Sequence, residues 1–239
     1  MIIKDFAMLA ANSARSKIYL QIMLKEGIMP EKCLVFGNSA PYNPNYSPKI
    51  GEKEYGIDLS QTLEMILNKS GIEWEYIEEG DINSDLMKEY ISKLNQKYII
   101  YSGYGGAILK PHLFKLGKEY LHVHAGILPK YRGSTTGYYS ILTESFIGAT
   151  SIFLNEKIDQ GEMIYQESFP LPKIPVDIDY VFEPWTRAEV LVKTLNKYIE
   201  NGYKFNTIKQ SQEGTEIYYI IHPVLKHLAM KKVERAIRA

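Results

Sequence analysis

The chain has 239 residues with 28 basic and 28 acidic side chains, so its formal charge is zero and no global field favours nucleic acid or an anionic membrane. Its single cysteine, Cys33, excludes an internal disulfide, and no apolar run reaches the roughly 20 residues that a membrane helix needs. One α/β core with a smaller extension, in a cytoplasmic setting, is the expectation.

The stretch IIKDFAMLA reads as a buried strand, and NSARSKIYLQIMLKEG as a helix capped by Asn12 or Ser13 and ended at Gly27. EKCLVFG predicts a second strand and DLSQTLEMILNKSG a second helix that Gly71 ends. IEWEYIE, SDLMKEYISKLNQ and KYIIYSG then supply strand, helix and strand. This alternation predicts a mostly parallel sheet with right-handed crossovers, whose ligands lie beyond the carboxyl ends of the strands. The loop after the first strand lacks G-x-G-x-x-G, and GYGGA at 103 to 107 has no Walker lysine, so dinucleotide and P-loop chemistry fit poorly.

Residues 37 to 56, rich in Pro, Asn, Gly and Tyr, predict a long loop at the ligand-bearing edge. After YLHVHAG the chain passes through a punctuated loop into a short helix, TTGYYSILTES. GATSIFLNEKID and GEMIYQESFPL read as paired strands. WTRAEVLVKTLNKYIENG predicts an amphipathic helix stopped by Gly202. KFNTIKQ, the turn SQEG and TEIYYII predict a hairpin, and HPVLKHLAMKKVERAIRA a terminal helix.

In an extended strand His122 and His124 project to one face, with Val123 on the other. Such a pair serves zinc ligation, acyl transfer or packing alone. A metal needs further ligands, and His112, His222 and His227 stand at no ligand spacing from the pair, so no metal is expected.

The flanking residues separate these readings. HVHAGILPKYRGSTT resembles the motif of the N10-formyltetrahydrofolate-dependent formyltransferases, written Asn, any, His, any, Ser, any, Leu, Pro, any, any, Arg or Lys, Gly. IDQGEMI resembles that family's Asp-x-Gly segment, and Asp159 follows His124 at about the separation expected there. The resemblance spans residues 1 to 170 and implies a Rossmann-like formyltransferase core with helices on both faces. Residues 171 to 239 are then a C-terminal extension of helix, hairpin and terminal helix. Three residues depart from the pattern: His122 stands where the family has Asn, and Ala125 and Gly126 replace its small residue and Ser.

The resemblance implies formyl transfer from N10-formyltetrahydrofolate to an amine. His124 would handle the proton or stabilise the oxyanion, Asp159 would orient it, and His122 would donate to the formyl oxygen. The folate would lie between residues 102 to 109, near Gly105, Ile108 and Leu109, and the loop 154 to 159, which carries Lys157 and Ile158. Arg132, Ser134, Thr135 and Thr136 would take substrate phosphate or hydroxyls.

A transfer-RNA acceptor is expected to need a basic surface and a further β-barrel, and the glycinamide ribonucleotide enzyme a Gly- and Ser-rich loop where this chain has LAANSARSK. The implied acceptor is therefore a nucleotide-linked amino-deoxy sugar, in particular a UDP-linked 4-amino-4,6-dideoxy sugar of surface-glycan biosynthesis. Tyr42, Tyr46, Tyr138 and Trp185 would stack on base or sugar, Arg187 or Lys130 would hold the diphosphate, and a homodimer would form through the C-terminal extension. Three other readings stand beside it: a metal-dependent hydrolase built on the His pair, a folate-binding protein without turnover, and, within the family, a glycinamide ribonucleotide or other small-amine formyltransferase.

Overall fold

β1 (Ile2–Ala11) is apolar and buried from Phe6 onward, as a central parallel strand must be. Its alternate residues serve two different cores. Phe6, Met8 and Ala10 join one cluster, while Ala7, Leu9 and Ala11 join a second on the opposite face. The computed structural model describes residues 1–38, 41–211 and 216–238.

α1 (Ala14–Lys25) follows, with the Ser13 side chain accepting from the Ser16 N–H at its start. β2 (Met29–Phe36), α2 (Leu63–Ser70), β3 (Glu73–Ile77), α3 (Asp85–Ser92) and β4 (Tyr98–Ser102) continue the alternation. Thr62 and Ser84 cap the two helices in the same way. The short α4 (Pro111–Phe114), β5 (Glu119–His124), β6 (Tyr131–Gly133), α5 (Thr136–Glu144), β7 (Phe146–Phe153) and β8 (Met163–Pro170) complete the sheet region. A π-helical turn, Ile178–Phe182, leads into α6 (Glu183–Glu200), and β9 (Glu216–Tyr218) precedes α7 (Pro223–Arg238).

The main sheet has seven strands in the order β3, β2, β1, β4, β5, β7, β8. Pairings from β3 to β5 are parallel, and β7 and β8 add to the edge antiparallel. α1, α2 and α6 cover one face, α3 and α4 the other. The expected fold class is borne out: a mostly parallel sheet clad on both sides, with C-terminal helices. α6 packs on α1 within the first core cluster, so the extension contributes directly to the main hydrophobic core.

The hairpin region makes its ladder bonds to the core. Ile208 bridges Met163 antiparallel, and β9 pairs with β6 in parallel, while residues 212–214 of the turn lie outside the described residues. Strand order reverses beside β1, because β2 and β3 lie to one side of it and β4 and β5 to the other. That switch point leaves a crevice beyond the carboxyl ends of β1, β4 and β5. Among the described residues no helix is long and apolar enough to cross a membrane.

Candidate active site

A cavity of about 660 Å³ occupies this crevice, a volume suited to a small organic ligand. Its floor comes from three strand ends: Arg15 after β1, Tyr104 to Ile108 after β4, and His122 and His124 at the end of β5. Asp159 and the segment Ile217 to Ile220 close other sides.

His124 is 5% exposed. Its Nδ1 lies 3.4 Å from Oδ1 of Asp159, and its Nε2 lies 2.6 Å from the Tyr131 carbonyl oxygen. Both ring nitrogens thus face acceptor oxygens, an arrangement that a ring with two N–H groups satisfies in full. The other carboxylate oxygen of Asp159 accepts from the Gly133 N–H at 2.9 Å. Burial raises the Asp159 pKa, but the charge and hydrogen bond of His124 and the Gly133 N–H outweigh it and hold the carboxyl at about 2.

Local backbone requirements explain the motif residues around this pair. Asp159 has φ +52°, in the left-handed region where Asp is tolerated better than most residues. A Cβ on Gly161 would sit 1.6 Å from the Phe153 carbonyl oxygen, so only glycine lets the Asp159 turn close onto β7.

His122 is half-buried, and its Nδ1 lies 3.2 Å from the Tyr101 carbonyl oxygen. Arg187, from the first turns of α6, reaches the same place. Its Nε donates to the Val123 carbonyl at 2.8 Å, its Nη1 to Glu183 at 2.9 Å, and its Nη2 stands 3.5 Å from His122 Nε2. Arg15 donates to the Gly103 carbonyl, and burial followed by the Arg187 charge lowers it to about 10. Burial and these two cations push His122 well below the ordinary histidine pKa. Two guanidinium charges beside His122 oppose a third cation there. Among the described residues no group of three or more His, Cys, Asp or Glu side chains is placed to hold a metal ion.

The structure brings His122, His124, Asp159, Gly105, Ile108, Ile158, Ser134, Thr135, Thr136, Tyr138 and Arg187 to the cavity wall. The Ile108 carbonyl accepts from the Asn83 side chain. The other expected residues lie elsewhere. Leu109 is buried in the second core cluster, and Lys157 is exposed outside the cavity lining. Arg132, 2% exposed, bonds the side chain of Gln210 and the carbonyl of Ser211 beneath the wall, too deep to meet a substrate phosphate. Tyr46 donates to Glu52, Tyr42 projects outward, and Trp185 packs against Tyr55, Phe169 and Phe182. Lys130 pairs with Glu144 on the surface. Ser13 caps α1, and Asn12 donates to the Asn38 carbonyl.

Arg15, Tyr104, Asp179, Glu183, Tyr218 and Tyr219 line the cavity without having been read from the sequence as site residues. Arg15 was accessible to the rule that strand ends carry the chemistry, and Glu183 to its i,i+4 spacing from Arg187. Tyr218, which ends β9, and Tyr219, which follows it, carried no such signal.

A methionyl-tRNA formyltransferase from Finegoldia magna is 29% identical over 145 residues, covering 59% of this chain, and the chain spans just under half of that relative's length, 45%. A sugar N-formyltransferase from Shewanella has the same fold over 95% of this chain and 87% of its own, with TM-score 0.58 at 14% identity. WlaRD, a sugar 3N-formyl transferase solved with dTDP and 5-N-formyl-THF, aligns over 99% of this chain and 80% of its own, with TM-score 0.59 at 19% identity. The formyl transferase family model matches residues 58–177, half of the chain, including both histidines and Asp159, and the chain belongs to that family.

Proposed function

We propose that the protein moves a formyl group from N10-formyltetrahydrofolate to the amine of a nucleotide-linked amino-deoxy sugar. The observation that carries the reading is the set His124, Asp159 and Gly133 N–H at one wall of the 660 Å³ cavity. His124 and Asp159 are the motif residues of the family, and the geometry makes them one hydrogen-bonded unit.

The donor set suits a formyl folate. Gly105 and Ile108 from the β4 loop line the same cavity as Ile158, which gives it apolar surface. Such a donor supplies an activated one-carbon group, and the protein supplies orientation and charge. Attack by an amine on the formyl carbon develops negative charge on oxygen and a proton to be moved. His124, held in place by Asp159 and the Tyr131 carbonyl at the cavity wall, is the group assigned to the proton.

The sugar nucleotide reading is supported by the aromatic wall. Tyr104, Tyr138, Tyr218 and Tyr219 line the cavity and offer faces for a sugar or base. Tyr138 is tied down by its hydrogen bond to Asp179, which Lys226 also pairs at 2.6 Å. Ile217, Tyr219, Ile220, Val224 and Leu228 are exposed on β9, α7 and their connection, which supports pairing of two copies through this extension.

Incubation with N10-formyltetrahydrofolate and a panel of acceptors tests the reading: dTDP-3-aminofucose, a UDP-linked 4-amino-4,6-dideoxy sugar, glycinamide ribonucleotide and methionyl-tRNA. The expected result is amine-dependent release of tetrahydrofolate with a mass gain of about 28 Da on an amino sugar. Turnover of methionyl-tRNA alone replaces the acceptor, and turnover of none removes the enzyme reading.

A further inference from the structure

Position 122 carries an imidazole where the family motif has an amide, and its surroundings show which group takes over the amide's task. We propose that Arg187 is the oxyanion donor of this protein and that His122 is the residue positioning it; the proposal rests on the formyl-transfer reading above.

The hydrogen-bond roles at His122 are fixed by its neighbours. The Tyr101 carbonyl, 3.2 Å from Nδ1, can only accept, so Nδ1 carries the proton. Arg187 Nη2, 3.5 Å from Nε2, can only donate, so Nε2 presents its lone pair. The two partners select the same neutral tautomer. That ring has no N–H left for a formyl oxygen, whereas an asparagine amide in its place would have one.

Arg187 has what His122 lacks. A guanidinium carries five N–H groups, and the contacts to Val123, Glu183 and His122 engage one on each nitrogen. The side chain is 6% exposed and lines the cavity together with His122, His124 and Asp159. Held on three sides, its plane is preorganised, which is the condition for transition-state stabilisation without reorganisation. Burial opposes its charge, but the Glu183 carboxylate at 2.9 Å favours it, and a guanidinium keeps its proton at every working pH.

The step balances without any further reagent. The amine lone pair forms a bond to the formyl carbon, and the carbonyl π pair moves to oxygen, where Arg187 donates. The pair then returns as the bond to N10 breaks, and the proton lost by the amine ends on N10. Tetrahydrofolate and the formamide are the products.

The test uses the acceptor that the wild-type protein turns over from the panel above. Arg187→Gln should lower kcat by about 10²- to 10³-fold while KM for both substrates changes less than about threefold, with an unaltered circular dichroism spectrum. Adding His122→Asn to Arg187→Gln should recover at least about tenfold, because the amide returns an N–H to the site. Arg187→Lys should add a falling alkaline limb to the kcat profile that the wild type lacks, since a buried ammonium loses its proton before a guanidinium does. Should Arg187→Gln not fold, the lysine profile and the tautomer of His122 by ¹⁵N NMR decide. A His122 that is Nε2-protonated or imidazolium at pH 7, an Arg187→Gln enzyme within about threefold of wild-type kcat, or no recovery in the double variant overturns the proposal. A wild type inactive on every acceptor overturns the formyl-transfer reading itself, a separate outcome from active wild type with indifferent Arg187 variants.

Discussion

The Gly133 N–H donates to one carboxylate oxygen of Asp159 at 2.9 Å, while the other oxygen faces His124 Nδ1 at 3.4 Å. Both oxygens therefore meet donors. Asp159→Asn must turn its NH₂ toward one of them, placing donor against donor at His124 or at Gly133. The expected outcome is a loss of about 10²- to 10⁴-fold in kcat with little change in KM for the formyl donor, read by tetrahydrofolate release. A variant retaining most of its kcat would place Asp159 outside the chemistry.

The same carboxylate makes stability depend on acid. Its folded pKa, about 2, lies below the ordinary 3.8, so the native state binds its proton less readily than the unfolded chain does. The contribution is fully present above pH 3.8 and is lost as pH falls toward about 2, on the order of 2 kcal/mol for this shift. Urea melts between pH 6 and 2 should show the wild type losing stability in that window and Asp159→Asn losing about that much less. Parallel curves for the two proteins would count against the assignment.

The core and the His124–Asp159 pair were legible because both are written in local signals. The alternation of strands with capped helices predicted the sheet, and His122, His124 and Asp159 are residue types at motif spacing. The cavity wall was less legible, because it is assembled by contacts that no local period encodes. β6 and β9 are three residues each and pair from distant parts of the chain, and they deliver Tyr218 and Tyr219 to the site. Trp185, Tyr46 and Arg132 are residue types that recognise ligands elsewhere, yet here Trp185 packs on Phe182, Tyr46 bonds Glu52 and Arg132 is buried, all outside the cavity lining. Arg187 was expected at a diphosphate, and only the fold shows it beside His122.

Gly161 gives a sharp stability prediction. A methyl group there would meet the Phe153 carbonyl at 1.6 Å, and backbone at that distance cannot yield as a flexible side chain would. Gly161→Ala should cost on the order of 2–4 kcal/mol and, by displacing the Asp159 turn, lower kcat as well. Thermal melts and kinetics on the same preparation read both effects. An alanine variant with wild-type stability and kcat would mean that the loop relaxes without moving Asp159.

Arg132 separates a structural cation from a substrate-binding one. Its guanidinium donates to Gln210 Oε1 at 2.8 Å and to the Ser211 carbonyl at 3.1 Å, and Gln210 in turn donates to the Asp159 and Gly161 carbonyls at 2.9 and 2.7 Å. The chain of bonds joins the motif arginine to the loop that carries Asp159. Arg132→Met leaves Gln210 Oε1 without this donor in a buried place, at a cost on the order of 2–4 kcal/mol. For a chain of this length that lowers Tm by roughly 5–15 °C. Because the guanidinium does not reach the cavity, KM for the acceptor should change less than about threefold, whereas loss of a charged contact to substrate phosphate would raise it by tenfold or more. A raised KM with an unchanged Tm would return Arg132 to the substrate; a lowered Tm with an unchanged KM fixes it as the support of the Asp159 loop.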